Sequence, residues 1–160
     1  MGPMTLRPGQ LSLALVRPQI APNTGNVGRL CVATGTALHL VRPLGFALSD
    51  KEIKRSGMDY WARLRLTVHD DVEAFEAGVA GGRLWLFDSA GDRGMWDADF
   101  AAGDTLVFGS ETRGLPEEFV GRHRHRLLRI PQVEGERCLN LATAAGIALY
   151  AALYRIDRGR

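Results

Sequence analysis

Short runs rich in Leu, Val and Phe alternate along the chain with amphipathic stretches, and no linker, low-complexity block or internal repeat interrupts them. Strands are predicted at residues 11–16, 37–41, 64–68, 83–87, 105–108 and 126–130, most of them too short and too apolar for exposed hairpins. Between them the apolar spacing lengthens to that of helices. One is predicted over 24–34 and closed by Gly35, one over 50–56 with Ser49 and Glu52 as a capping box, and one over 71–79. A last helix runs from Asn140 to about residue 156. Strand and helix in alternation imply an α/β fold: a mostly parallel sheet with helices on both faces. Open sheets of this kind bind ligands beyond the carboxyl ends of their strands. That directs attention to the loops after Val16, Phe87, Phe108 and Ile130.

A length of 160 residues suits one domain, and 46% apolar with 24% charged residues is an ordinary globular balance. Twenty basic against 18 acidic side chains leave a net charge of +2, so any polyanion site must be a local patch. All the cations except Lys51 and Lys54 are arginine. Cys31 and Cys138 lie far apart with no CxxC spacing, which suggests neither a disulfide framework nor a zinc site and fits a reducing cytoplasm. Residues 1–10 lack the apolar core of a signal peptide and contain a second methionine, Met4. They are expected to be a loose tail or an expression remnant outside the fold, leaving 11–160 as a single domain. The apolar stretch 139–156 approaches membrane-spanning length, but Asn140, Thr143, Tyr150, Tyr154 and Arg155 interrupt it, so a buried helix is expected.

Four stretches could carry chemistry. In Asn23–Arg29, NTGNVGR, Asn23 can cap a helix whose first turn offers backbone donors to an anion, and Asn26 and Arg29 share one helix face. A capped helix with a surface arginine would read the same way. In Phe108–Pro116, FGSETRGLP, Gly109 and Gly114 have the spacing of a Walker loop, but Leu115 and Pro116 stand where Lys and Ser or Thr are required. Glu111 in that loop could hold a backbone amide or a cation such as Arg29, or be an exposed carboxylate on a turn. In Ile130–Gly146, IPQVEGERCLNLATAAG, a polar loop runs into a small-residue helix suited to close packing or self-association. Finally GRHRHRLLR, Gly121–Arg129, gathers four arginines and two histidines without an acid, a phosphate patch or a solvated strand edge. His123 and His125 have no third ligand at sensible spacing, so no metal is expected. His39 and His69 read as hydrogen-bonded structural residues.

Taken together and in order, NTGNVGR, FGSETRGLP and IPQVEGERCLNLA resemble the three motifs of the SPOUT RNA methyltransferases. RPQIAPNTGNVGRLC and HLVRPLGFALSDKEIKRSGMDYW are similar to the compact bacterial tRNA wobble-nucleotide 2′-O-methyltransferases (TrmL-like), and the resemblance covers nearly all of residues 11–156. It implies a C-terminal deep trefoil knot, S-adenosylmethionine as cofactor and a homodimer, while the residues themselves lead us to expect no membrane and no metal partner. It places cofactor contacts at Phe87, Gly109, Gly114, Ile130, Cys138 and Leu139. Arg29 matches the family's catalytic arginine, with Asn23, Glu111 and Asn140 organising the site. The implied substrate is the ribose 2′-hydroxyl of the wobble cytidine or uridine in the tRNA anticodon loop, in leucine tRNAs. Arg122, Arg124 and Arg126, or Lys51, Lys54 and Arg55, would hold RNA phosphates. Cys138 stands where the family usually has serine, Ala142 and Thr143 where it has Ser and Asn, and Gln132 replaces a commoner apolar residue. The competing expectations are a SPOUT enzyme acting on rRNA or another tRNA position, and a non-catalytic RNA-binding homologue.

Overall fold

The computed structural model describes residues 2–49, 51 and 60–159. The helix expected over 50–56, with Lys54 and Arg55, falls outside the described residues except for Lys51. The described strands are β1 (Ser12–Val16), β2 (Ala37–Val41), β3 (Leu66–His69), β4 (Leu84–Phe87), β5 (Arg93–Gly94), β6 (Thr105–Phe108) and β7 (Leu127–Arg129). They form one sheet in the order β3-β2-β1-β6-β4-β7-β5, and every pairing among them is parallel. The helices are α1 (Ala21–Thr34), α2 (Val72–Gly78), α3 (Glu117–Arg122) and α4 (Leu141–Arg158).

The period-2 geometry of the strands divides the core in two. Leu13, Leu15, Leu38, Leu40, Leu106 and Phe108 pack with Val27 and Cys31 of α1 and with Leu141, Ala145, Ala148 and Leu149 of α4. Ala14, Val16, Val41, Leu86 and Val107 point the other way, onto Val72 and Phe75 of α2 and Phe119 of α3. Burial on both faces is why these strands read as unbroken apolar runs. Each fully buried leucine stabilises the fold by about 1.5–3 kcal/mol. From β1 the chain runs outward through β2 to β3, then crosses to build the other half from β4 onward. The direction of winding therefore reverses between β1 and β6, and a crevice opens there at the carboxyl ends of the strands.

Several local expectations change. β3 begins at Leu66 and ends at His69 rather than spanning 64–68, and β5 and α3 are too short to impose a readable period. Residues 4–10 lie against the fold: Met4 and Leu6 are half-buried on the core, and the Gly9 amide donates to the Gly35 carbonyl at 2.8 Å. Helix α1 starts three residues before Thr24, with Ile20 at its cap position and Pro22 in its first turn, so Asn23 lies inside the helix. Other helix ends fall within two residues of the expected ones. Asp71 caps α2 by accepting from the Ala74 amide, Asn140 caps α4, and Gly35 closes α1 at φ 67°. No helix among the described residues is long and apolar enough to cross a membrane.

Candidate active site

A cavity of about 530 Å³ occupies the crevice at the carboxyl ends of the central strands. Its walls come from the loops after β1, β4, β6 and β7 and from the start of α4. Phe87 and Phe108 end adjacent strands in register, and their rings stack with centroids 4.8 Å apart and planes 9° from parallel. With Ile130, Leu139 and Leu141 they give one side of the cavity an apolar lining. The other side is backbone. Ser110 and Gly114 exchange amide-to-carbonyl bonds at 3.2 and 3.1 Å, folding the β6 loop back on itself. That fold brings the Gly114 carbonyl carbon and the Leu115 nitrogen within 2.2 and 2.3 Å of where a Cβ on Gly109 would stand. Only glycine fits at 109, and Gly114, at φ 65°, adopts a conformation that side-chain-bearing residues rarely do. The six residues expected to contact a cofactor, Phe87, Gly109, Gly114, Ile130, Cys138 and Leu139, all line this cavity.

Glu111 organises the polar rim. One carboxylate oxygen accepts from the Gln19 amide at 2.8 Å, and the other from the Ile20 amide at 2.9 Å and from the Asn23 side chain at 3.2 Å. The carboxylate thus does from another loop what the absent side-chain cap of α1 would do, and its charge sits favourably at the helix amino end. Asn23 passes the network on: its Oδ1 accepts from Asn140 Nδ2 at 3.1 Å. Asn140 in turn accepts from the amides of Ala142 and Thr143 at the start of α4. Three residues scattered over 118 positions become one hydrogen-bonded chain linking the loops after β1 and β6 to α4.

Arg29 stands apart from this chain. Among the two alternatives for Glu111, the backbone amides and Asn23 take its oxygens, and Arg29 does not. Arg29 is exposed, lies six residues or about 9 Å further along α1 than Asn23, and does not line the cavity of its own chain. Nearby, buried Tyr60 donates to the Gly25 carbonyl, and burial raises its phenol above the usual range, against the opposing pull of Arg29.

The arginine cluster before β7 is also displaced from the site. Arg124 and Arg126 immediately precede β7, at the amino end of the parallel sheet, opposite the cavity. Arg122 and His123 both engage Glu76 of α2, so the stretch that carries no acid in sequence meets one in space. Burial alone would raise the Glu76 carboxyl, but hydrogen bonds from Arg122 and His123 hold it below the ordinary range. His39 and His69 bond to each other at 2.9 Å across neighbouring strands and pack on Phe75, as structural histidines. The cavity also contains groups not singled out from the sequence, two of them inside the FGSETRGLP stretch. Asp88 and Ser89 follow β4, and Thr112 and Arg113 belong to the β6 loop. Their position at strand ends is the signal that could have marked them.

The SpoU rRNA methylase family model matches residues 10–150. A tRNA (cytidine(34)-2′-O)-methyltransferase from Methylovorus glucosotrophus is 46% identical over 149 residues, covering 91% of this chain and 95% of that protein. A structure solved to explain the 2-OH methylation of C/U34 on tRNA superposes with a TM-score of 0.87 at 46% identity, covering 94% of this chain and 97% of the other. An AdoMet-bound rRNA methyltransferase from Sinorhizobium meliloti superposes with a TM-score of 0.82 at 27% identity, covering 91% of this chain and 56% of its own. With the whole parallel sheet, the looped Gly109–Gly114 segment and the start of the last helix inside the matched region, the chain belongs to the SpoU rRNA methylase family.

Proposed function

We propose that this protein is an S-adenosylmethionine-dependent tRNA methyltransferase that methylates the ribose 2′-hydroxyl of the wobble nucleotide. The observation that carries the reading is the cavity at the β1/β6 crevice, framed by the three motif loops and joined to the Glu111, Asn23 and Asn140 network. Its size falls within the usual range for small-molecule sites, and its chemistry fits the cofactor. A flat aromatic and aliphatic wall suits a nucleoside, and the glycine-lined loop exposes backbone groups that can recognise polar edges. Phe87, Gly109, Gly114, Ile130, Cys138 and Leu139 would hold S-adenosylmethionine. When bound, it supplies an activated methyl group on a sulfonium.

The work left to the chain is alignment and charge. Glu111 has three donors on its carboxylate, so it organises the loops rather than abstracting a proton. A guanidinium stays protonated in proteins and is a poor base near neutrality. Arg29 therefore stabilises the developing alkoxide and orients phosphate, while water or a substrate oxygen takes the hydroxyl proton. Because Arg29 lies outside the cavity of its own chain, the working site is read as composite, completed across a homodimer in which α1 and α4 meet their counterparts. Ile147, Tyr150 and Tyr154 of α4 support this reading, since they form an exposed apolar stripe at helical spacing. The same reading includes the C-terminal trefoil knot and leucine tRNAs bearing cytidine or uridine at the wobble position. An exposed anticodon-loop nucleotide suits such a site, because it can be splayed out without melting a helix. Transfer of label from methyl-labelled cofactor to tRNA, followed by mapping of the modified nucleotide, tests the assignment. A methyl on a base, or on a ribose outside the anticodon loop, rejects the substrate.

A further inference from the structure

Several arginines around the parallel sheet are held by acceptors, among them Arg42 at the carboxyl end of β2, which pairs with Asp70. Toward the amino end Arg83 binds Asp99 and the buried Asp104, Arg93 donates to the carbonyls of Asp97 and His125, and Arg122 pairs with Glu76, while Arg124 is exposed. At the carboxyl end, Arg17 and Arg113 are exposed, and their guanidiniums meet no acceptor among the described residues. Arg17 directly follows β1, and Arg113 sits in the loop after β6, on the cavity wall. These are the two strands between which the sheet reverses its winding.

Two further observations distinguish Arg17 from an incidental surface cation. It is the one non-glycine residue with positive φ among the described residues, at 55°, held there as its amide donates to the Val41 carbonyl at 2.8 Å. A glycine would occupy that backbone without strain, so the fold alone gives no reason for a long cationic side chain. Its loop is also tied to that of Arg113. Glu111 takes the Gln19 and Ile20 amides, and Thr112 donates its hydroxyl to the Gln19 side chain. The separation between the two arginines is therefore set by the same network that shapes the catalytic rim.

We infer that Arg17 and Arg113 form a phosphate clamp at the mouth of the cavity that grips the RNA backbone flanking the target ribose, and that the cluster Arg122, Arg124 and Arg126 does not contact this RNA. Guanidiniums suit the task because they bind phosphate oxygens in a bidentate fashion. A clamp at the mouth can fix the nucleotide without reading its base. The inference rests on the tRNA methyltransferase reading and extends it to named contacts.

The test uses the full-length protein with tRNA transcripts. Arg17→Gln keeps a polar side chain and the backbone strain but removes charge, Arg17→Lys keeps charge without the fork, and Arg122→Gln serves as the comparison. For Arg17→Gln, KM for tRNA should rise about five- to tenfold, with kcat and cofactor affinity within about twofold. The slope of log Kd for tRNA against log salt should fall by roughly one, as for loss of a single phosphate contact. Arg17→Lys should restore most of the salt slope and only part of the affinity, and Arg122→Gln should leave both unchanged. Unchanged KM and salt slope in Arg17→Gln, a matching loss of cofactor affinity, or an equal defect in Arg122→Gln would overturn the clamp. Mapping the methyl on the product of the wild-type protein reports separately on the substrate. Wobble methylation with an indifferent Arg17 refutes the clamp alone, whereas methylation elsewhere with an Arg17-dependent salt slope refutes the wobble assignment and supports the clamp.

Discussion

Single residues divide by whether they shape the site or act in it. Arg29→Ala should leave fold and cofactor affinity nearly intact and lower turnover by about 10²–10³, the usual effect of removing one donor to a developing oxyanion. Single-turnover methylation at saturating tRNA measures this, and near-normal turnover would dismiss a catalytic role. Glu111→Ala acts differently, since it strips acceptors from the Gln19 and Ile20 amides and the Asn23 side chain together. An unmatched buried donor costs about 1–3 kcal/mol, discounted here because the groups are partly exposed, so a lower melting temperature should accompany lost activity. Cys138→Ser should be mild for cofactor binding, as the thiol is exposed on the cavity wall. His39 supplies a pH dependence. Burial first, and the neighbouring His69 second, lower it from 6.5 to about 4. Between those values the unfolded chain binds more protons, so this contribution to stability is complete above about pH 6.5 and is lost as the pH falls toward 4. Denaturant unfolding of wild type and His39→Phe across that window should show the shallower slope in the variant.

At the scale of elements, what could be read in advance depended on how far each signal extends along the chain. The central strands are buried on both faces, so their apolar runs are continuous and their positions legible. β5, two residues long, and α3, six long, carry no period and stayed hidden. Asp71 and Asn140, which cap their own helices, were legible as helix starts. The cap of α1 was not, because its acceptor, Glu111, lies 91 residues from Ile20. The site followed the same rule. Glycines and strand ends marked the cavity wall, whereas the partners of Glu111, and of the arginines before β7, are long-range contacts that no local window contains. The tight β6 loop gives the sharpest element-scale expectation. Gly109→Ala would drive a methyl group into the Gly114–Leu115 backbone, which cannot yield as a side-chain tip would. Loss of cofactor binding by calorimetry with a retained circular dichroism spectrum is expected. Normal affinity would mean that the loop is softer than its contacts imply.

For the whole molecule the decisive quantity is the number of chains in the working unit. Arg29 is exposed on α1 and away from the cavity of its own chain, while α1 and α4 pack together over one face of the sheet. Catalysis by a single chain would require the RNA to bring its ribose to two separated places. A second copy facing α1 and α4 can instead carry its Arg29 to the first copy's cavity. The exposed stripe Ile147, Tyr150 and Tyr154, at 39%, 48% and 55% of full exposure, is the apolar surface such a contact would cover. Tyr150→Glu should therefore convert a dimer to monomers by light scattering, with a large loss of methyl transfer and little change in the thermal stability of the subunit. Mixing settles whether the sites are shared. An Arg29→Ala chain co-assembled with an Asn140→Ala chain should regain activity in the hybrid, because one of its two sites would then contain both intact residues. If each cavity uses its own Arg29, every site in that hybrid carries a defect and no activity returns. A monomer that retains full turnover would exclude the composite site altogether.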